Sequence, residues 1–335
     1  MTTALTAQAR PTVRSVLFRF QSLFGLVAVF IAAIVFSPAR NGELLFLSSG
    51  NLFNVVRAIS EKGIIAVGMT FVILIGGIDL SVGAVLGLTA VGSADLLVNH
   101  DWGVVPTVLV VLLVGLVFGL LQGFASTAFR IQAFIVTLAG LQIARGLARI
   151  WSGGQGIAIS YGTDPGEAPV AYSLLGERTF NGLVPIPALF FVVIAVLATL
   201  FLRSSAFSRH VYAIGGNEKA ARLSGIPVTR VKIIVFGIAG LLTALAGIIH
   251  AGQLNQGSPN DGLGYELDAI AAVVIGGTSL TGGRGSVGGT VAGTLLIGVL
   301  NNILSLNGVN SDIQLLITGF VIVVVAGLQR LRPAT

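Results

Sequence analysis

Ten stretches of this chain each run for roughly the thickness of a bilayer on mostly apolar residues, and that recurrence limits what the chain can fold into. A spanning helix takes about 20 such residues. The stretches lie at about 20–37, 52–76, 81–98, 105–127, 131–151, 185–202, 230–251, 266–278, 287–305 and 311–328. Of the 335 residues 54% are hydrophobic and 10% are charged, against about 25% charged in soluble domains. So little charge cannot form a water-facing exterior over so much apolar surface, so lipid must cover most of it. The expected fold is all-α: a polytopic bundle of about ten spanning helices in one transmembrane domain over 1–335. Glycine pairs interrupt the second stretch (Gly76, Gly77) and the eighth (Gly276, Gly277), and the eighth is short for a full crossing.

Charge placement sets the orientation. With both termini on the cytoplasmic side, 13 of the 19 Lys and Arg fall on the inner side, as the positive-inside rule requires. They include Arg10, Arg14 and Arg19 in an N-terminal tail (1–19), and Arg203, Arg209, Lys219, Arg222, Arg230 and Lys232 in or beside a long inner loop (203–229). The formal net charge of +6 therefore reads as topology and not as affinity for nucleic acid. An outer loop at about 152–184 is rich in turn formers, Gly153-Gly154, Asp164-Pro165-Gly166 and Asn181-Gly182.

Chemistry-bearing motifs are scarce. The chain has no cysteine, and His100, His210 and His250 are far apart in sequence, with no pair at metal-ligand spacing. Gly283-Arg-Gly-Ser-Val-Gly288 matches a dinucleotide fingerprint, but apolar helices flank it and no acid follows at the ribose-binding distance. A tight turn between packed helices is the better reading. No Walker A sequence is present, so if this chain's work consumes ATP, the hydrolysis must sit on another chain, where ATP and Mg would then be bound. Gly115, Gly119 and Gly123, and again Gly285, Gly289 and Gly293, have the spacing that lets helices approach closely; packing is the expected role and a dimer contact the alternative.

An internal repeat is legible. Ile73–Leu80 resembles Val273–Leu280 at an offset of 200 residues, each running from a helix through Gly-Gly into a turn, and Ser81-Val-Gly83 answers Ser286-Val-Gly288. The copies stand six spans apart, so the repeat is parallel, with the second to fifth spans answering the seventh to tenth. Gly76, Gly77, Gly276 and Gly277 are expected to shape structural or gating turns, with Asp79 capping the helix that starts at Leu80 or Ser81. Asp79 and Asp268 are also the acids nearest the membrane interior, where an ionisable group is a site candidate. Neither has a basic partner at helical spacing.

The segment Tyr212–Pro227 is the most informative local feature. Asn217 suits an N-cap, Glu218 a first turn, Lys219 to Ser224 a short helix, Gly225 its C-terminal stop and Pro227 a block to continuation. A helix this short is unstable alone, so it should dock, and a cytoplasmic protein partner is favoured over the lipid surface.

Several stretches resemble the ribose-type permeases of bacterial ATP-binding-cassette sugar importers: Ile65–Ile73, Gly76–Gly83, Gln132–Leu138, Tyr212–Pro227, Gly264–Leu280 and Leu300-Asn-Asn302, in order from about residue 50 to the C-terminus. The resemblance implies a multi-pass subunit in the bacterial inner membrane that moves a monosaccharide, ribose or a related sugar, by alternating access. It implies three partners: a cytoplasmic ATPase with two fused cassettes, an extracytoplasmic sugar-binding protein, and a second permease copy or paralogue. It also implies that Gly215, Gly216, Asn217, Glu218, Ala221, Ser224 and Gly225 form the coupling helix on the ATPase. Gln122, Gln132, Asn301 and Asn302 are candidates for a weakly polar translocation path, since no dense sugar-binding set is visible in the sequence. The alternative is an ion-coupled secondary sugar transporter, which would show buried ionisable residues and often inverted repeats.

Overall fold

The structure, a computed structural model, describes residues 21–179 and 184–330. The N-terminal tail with Arg10, Arg14 and Arg19, the Asn181-Gly182 turn and Arg332 lie outside the described residues. Thirteen helices are described, with six two-residue strands. In chain order the helices are α1 (Gln21–Val35), α2 (Ser49–Leu74), α3 (Val82–Val98), α4 (Val104–Ala128), α5 (Ala133–Trp151), α6 (Val170–Ser173), α7 (Ile186–Ser204), α8 (Ala206–Gly216), α9 (Glu218–Leu223), α10 (Val228–Leu254), α11 (Tyr265–Ile275), α12 (Val287–Leu306) and α13 (Ser311–Arg330). Ten of these coincide with the ten apolar stretches to within a few residues at either end. Five (α4, α5, α7, α10 and α12) are long and apolar enough to cross a membrane by length and composition, and α1, α3 and α13 contain shorter apolar runs.

Glycine spacing decides how the central helices pack. Gly115, Gly119 and Gly123 of α4 face α10 backbone-to-backbone, with room for no Cβ beside Gly240, Phe236 and Ile233. On the other side of α4, Val105, Leu109, Leu113, Val117, Leu121 and Phe124 are exposed, an apolar stripe for lipid. Gly289 and Gly293 of α12 meet Gly276 and Ala272 in the same way, so both glycine series serve packing inside the chain. α10 is the hub, packed on α2, α3 and α4, and α3 is buried along nearly its whole length.

Loops expected on one face do converge. At one end, strands Ile157–Ala158 and Gln256–Gly257 pair, Asp101 accepts from the Gly166 N–H at 2.9 Å, and the Tyr172 hydroxyl donates to the Ile248 carbonyl at 2.9 Å. At the other end, the Gly283 N–H donates to the Leu74 carbonyl at 2.9 Å, and Gly215 is wedged against both residues.

The repeat carries a register correction. Gly76 N–H bonds the Ile73 carbonyl and Gly77 N–H the Val72 carbonyl; the same pattern recurs from Gly277 to Val274 and from Thr278 to Val273. Gly76 (φ 75°) therefore corresponds to Gly277 (φ 90°), not to Gly276. The turns align at an offset of 201 because the left-handed position that closes each helix falls one glycine later in the second copy.

α11 has only 11 residues, about 16 Å of helix, and its short length has a visible cause. Residues 255–264 run back along α3 as irregular chain, with Gly257 against Ala90 and Gly262 against Gly83. Irregular backbone at membrane depth is tolerated only where protein satisfies it. Arg145 does so from within α5, donating to the carbonyls of Pro259 and Asp261. This arginine is buried.

Candidate functional site: a docking loop and a polar cleft

The loop between α7 and α10 holds two helices where the sequence predicts one. α8 starts at a Ser205 cap that accepts from the Ser208 N–H, and it carries Gly215 into contact with Leu74 and Gly283. The Tyr212 hydroxyl donates to the Gly285 carbonyl at 2.9 Å. The sequence carries signals for α8, a serine cap and apolar Val211 and Ile214 at helical spacing, both buried; the glycine pair at its end masks them.

α9 follows its predicted grammar. The Asn217 side chain accepts from the Ala220 N–H at 3.0 Å, and Gly225 at φ 80° closes the helix with bonds from Gly225 N–H to Arg222 and from Ile226 N–H to Ala221. Ala221 is the buried anchor, while Leu223 stands 90% exposed beside Lys219 and Arg222. Gly216, Asn217, Ser224 and Gly225 are exposed as well. Glu218 bridges Arg222 at 3.2 Å and Lys232 of α10 at 2.7 Å. Burial alone would raise its carboxyl, but these two cations outweigh it and hold the group below the ordinary carboxylate range. Glu218, Arg222 and Lys232 border a cleft of about 1100 Å³ that Gly76, Gly77 and Gln132 also line.

A second cleft, of about 470 Å³, opens among α2, α10, α11 and α12. Its walls hold a charged network that sequence spacing could not show. Lys62 Nζ lies 2.7 Å from Asp268 Oδ2 and 4.5 Å above the Tyr265 ring. Glu61 accepts from His250 Nδ1 at 2.8 Å and from the Tyr265 hydroxyl at 2.9 Å. Asn301 and Asn302 line the same cleft; Asn302 exchanges hydrogen bonds with Asn51 at 2.9 and 3.0 Å, and Asn301 accepts from Thr318 at 3.3 Å. Asp268 thus has its basic partner, on another helix, and of the four path candidates Asn301 and Asn302 line this cleft.

A family profile described as "Branched-chain amino acid transport system / permease component" matches residues 51–326. The chain belongs to this permease family. It is 42% identical to the "Ribose import permease protein RbsC" of Bacillus subtilis (strain 168) over 98% of both chains, and 38% identical to the Escherichia coli (strain K12) protein of the same name over 96% of this chain and 97% of that one. The "L-arabinose transport system permease protein AraH" of Escherichia coli (strain K12) is 36% identical over 91% of this chain and 89% of its own. No solved structure matches. The permease is a transport subunit of a multi-pass membrane type, not an enzyme.

The remaining residues singled out from the sequence stand apart from the second cleft. Gln122 is buried and donates from Nε2 to the Ser81 hydroxyl oxygen at 2.8 Å, where it ties α4 to the start of α3. Gln132 is the residue preceding α5 and borders the first cleft. Asp79 accepts from the Ser81 N–H at 2.8 Å and the Ser81 hydroxyl at 2.6 Å. Its carboxylate shapes the turn just ahead of α3, whose cap is Ser81.

Proposed function

We propose that this permease is the membrane subunit of an ATP-driven importer for a pentose of the ribose kind in the bacterial inner membrane. The observation that carries the reading is similarity to ribose permeases along nearly the whole chain, joined to a capped, apolar-tipped helix that the rest of the chain leaves uncovered. α9 with the end of α8 is the surface on which a cytoplasmic ATPase with paired cassettes would seat, through Gly216, Asn217, Glu218, Ser224 and Gly225, whereas Gly215 and Ala221, expected there from the sequence, face inward and anchor the loop on the permease itself. ATP and Mg belong to that partner. A sugar-binding protein delivers the substrate at the opposite face, and a second copy or paralogue completes the membrane unit. One set of contacts supports alternating access: α8 touches Leu74 at the end of α2 and Gly283 after α11 through Gly215, so a push on α9 would bear on both.

Copurification of the tagged permease with its ATPase tests this reading, for wild type and for Glu218→Arg combined with Gly225→Pro. Proline cannot adopt φ 80°, so the second change removes the stop of α9. The complex should be lost while the permease remains inserted, and D-ribose uptake should require ATP. The buried group of Glu61, His250 and Asp261 favours a rival reading, since ion-coupled carriers place ionisable residues in that way. Uptake that follows an ion gradient without any ATPase would establish the rival.

A further inference from the structure

The cleft among α2, α10, α11 and α12 has a chemistry of its own, and resting on the importer reading above, we infer that it is a transit site for an uncharged polyhydroxylated ligand the size of a pentose. Four observations support this. The first is size: about 470 Å³ lies within the range of small-molecule pockets.

The second is charge balance. Lys62 is matched by Asp268, and Glu61 is matched by two donors, His250 and Tyr265. A zwitterionic amino acid would need a cation and a carboxylate free to pair with it, and here the facing groups are already paired with each other. A bare cation would need converging ligands, and among the described residues no three His, Asp or Glu gather at metal-binding spacing.

The third is hydrogen-bonding capacity that the paired groups on the walls leave open. A hydroxyl, which both donates and accepts, matches donors and acceptors alike. Lys62, Asp268 and Asn301 keep further donors or acceptors on the same walls.

The fourth is the apolar share of the lining. Val55, Ile59, Ala272 and Ile297 offer a surface to the C–H face of a sugar ring, which strictly polar ion sites lack. Ala58 and Ser305 are exposed at the mouth, whereas Ile297 and Thr294 are buried deeper in. The cleft thus runs inward from the end of the bundle where strands 157–158 and 256–257 pair.

The absence of cysteine from this chain makes the test direct. Single substitutions Ala58→Cys and Asn301→Cys are placed in the cleft, with Ser305→Cys as a further mouth position and Asn310→Cys in the following loop as the control. The complete importer in membrane vesicles is labelled with a membrane-impermeant methanethiosulfonate, alone or with D-ribose or L-leucine as probes. D-ribose should slow labelling in the cleft about five-fold, the factor 1 + [L]/Kd at four times Kd. L-leucine should not, and Asn310→Cys should respond to neither. Unchanged cleft labelling in vesicles that still import D-ribose overturns the site and leaves the importer reading intact. Protection by L-leucine in place of D-ribose overturns the polyol assignment. If the vesicles protect their cleft with D-ribose yet take up no D-ribose with ATP, the site stands and the importer reading falls.

Discussion

Gly215→Ala is the perturbation that most directly tests whether the α8–α9 loop grips both repeats. A methyl at Gly215 would fall inside van der Waals contact of the Leu74 carbonyl oxygen and the Gly283 nitrogen. Both are backbone atoms, so neither can rotate away as a side chain would. Overpacking of this kind costs about 1–3 kcal/mol. The Gly283–Leu74 hydrogen bond at 2.9 Å lies across the intrusion, and its loss adds about 0.5–1.5 kcal/mol. Against this stands a gain of about 1 kcal/mol for replacing glycine in a helix by alanine, leaving a net cost of about 0.5–3.5 kcal/mol. Gly216 is the internal control: it ends the same helix, and a methyl there meets nothing within 4 Å, so Gly216→Ala should be neutral or mildly stabilising. The assay is thermal unfolding of the solubilised permease by fluorescence-detected size exclusion, paired with D-ribose uptake per ATP hydrolysed in vesicles. Gly215→Ala should melt several degrees below Gly216→Ala and transport less sugar per ATP. Equal melting and equal coupling in the two variants would refute the argument that Gly215 joins Leu74 to Gly283.

Other outcomes follow from single residues. Asn217→Ala removes the Ala220 cap and should cost about 1 kcal/mol, seen as weaker copurification of the ATPase; Asn217→Ser should restore it. Glu218 contributes stability above the ordinary carboxylate range, and that contribution is lost as pH falls through its lowered value. ATPase association should therefore show no Glu218-dependent change between about pH 5 and 8. Because Glu218 is well exposed, Glu218→Gln should change melting by only about 0.2–1 kcal/mol, and less in high salt. Breaking the Lys62–Asp268 pair by Lys62→Met alone should cost about 1–3 kcal/mol more than the double change Lys62→Met with Asp268→Leu, because the single change strands a partly buried carboxylate; a double-mutant cycle on melting temperature measures the difference.

The bundle was legible in the sequence because apolar length is a local property: each of the ten stretches announces itself without knowledge of its neighbours. α9 was legible for the same reason, since Asn217, Gly225 and Pro227 act within one or two turns of the residues they cap. The half-helix α11 was legible too, its stretch opening at 266 against Tyr265 and its end marked by Gly276 and Gly277. The irregular run before it was not, because Arg145, over a hundred residues away, holds the carbonyls of Pro259 and Asp261. The cleft was not legible at all. Glu61, Lys62, His250, Tyr265 and Asp268 come from three helices, and no spacing rule relates them. Their separation in sequence made the chain read as poor in buried charge, whereas packing α2 on α10 and α11 collects that charge in one place.

The two sites are linked by a rigid element. α2 ends at Leu74, whose carbonyl receives Gly283 and abuts Gly215; 13 residues earlier the same helix presents Glu61 to His250 and Tyr265. At 1.5 Å per residue that is about 20 Å of continuous helix. α11 runs beside it, tied at its first turn by Tyr265 and Asp268 to Glu61 and Lys62, and followed by the turn that carries Gly283. A displacement of α8 would thus act on the Leu74 end of α2 directly and on α11 through the 282–283 turn, and both helices form walls of the cleft. Relative sliding of α2 and α11 by even an ångström or two would lengthen the 2.7 Å and 2.9 Å contacts past hydrogen-bond range. On the proposed reading, a partner seated on α9 would therefore act on the cleft through α2 and α11, with the Glu61 and Lys62 contacts as the ones to change.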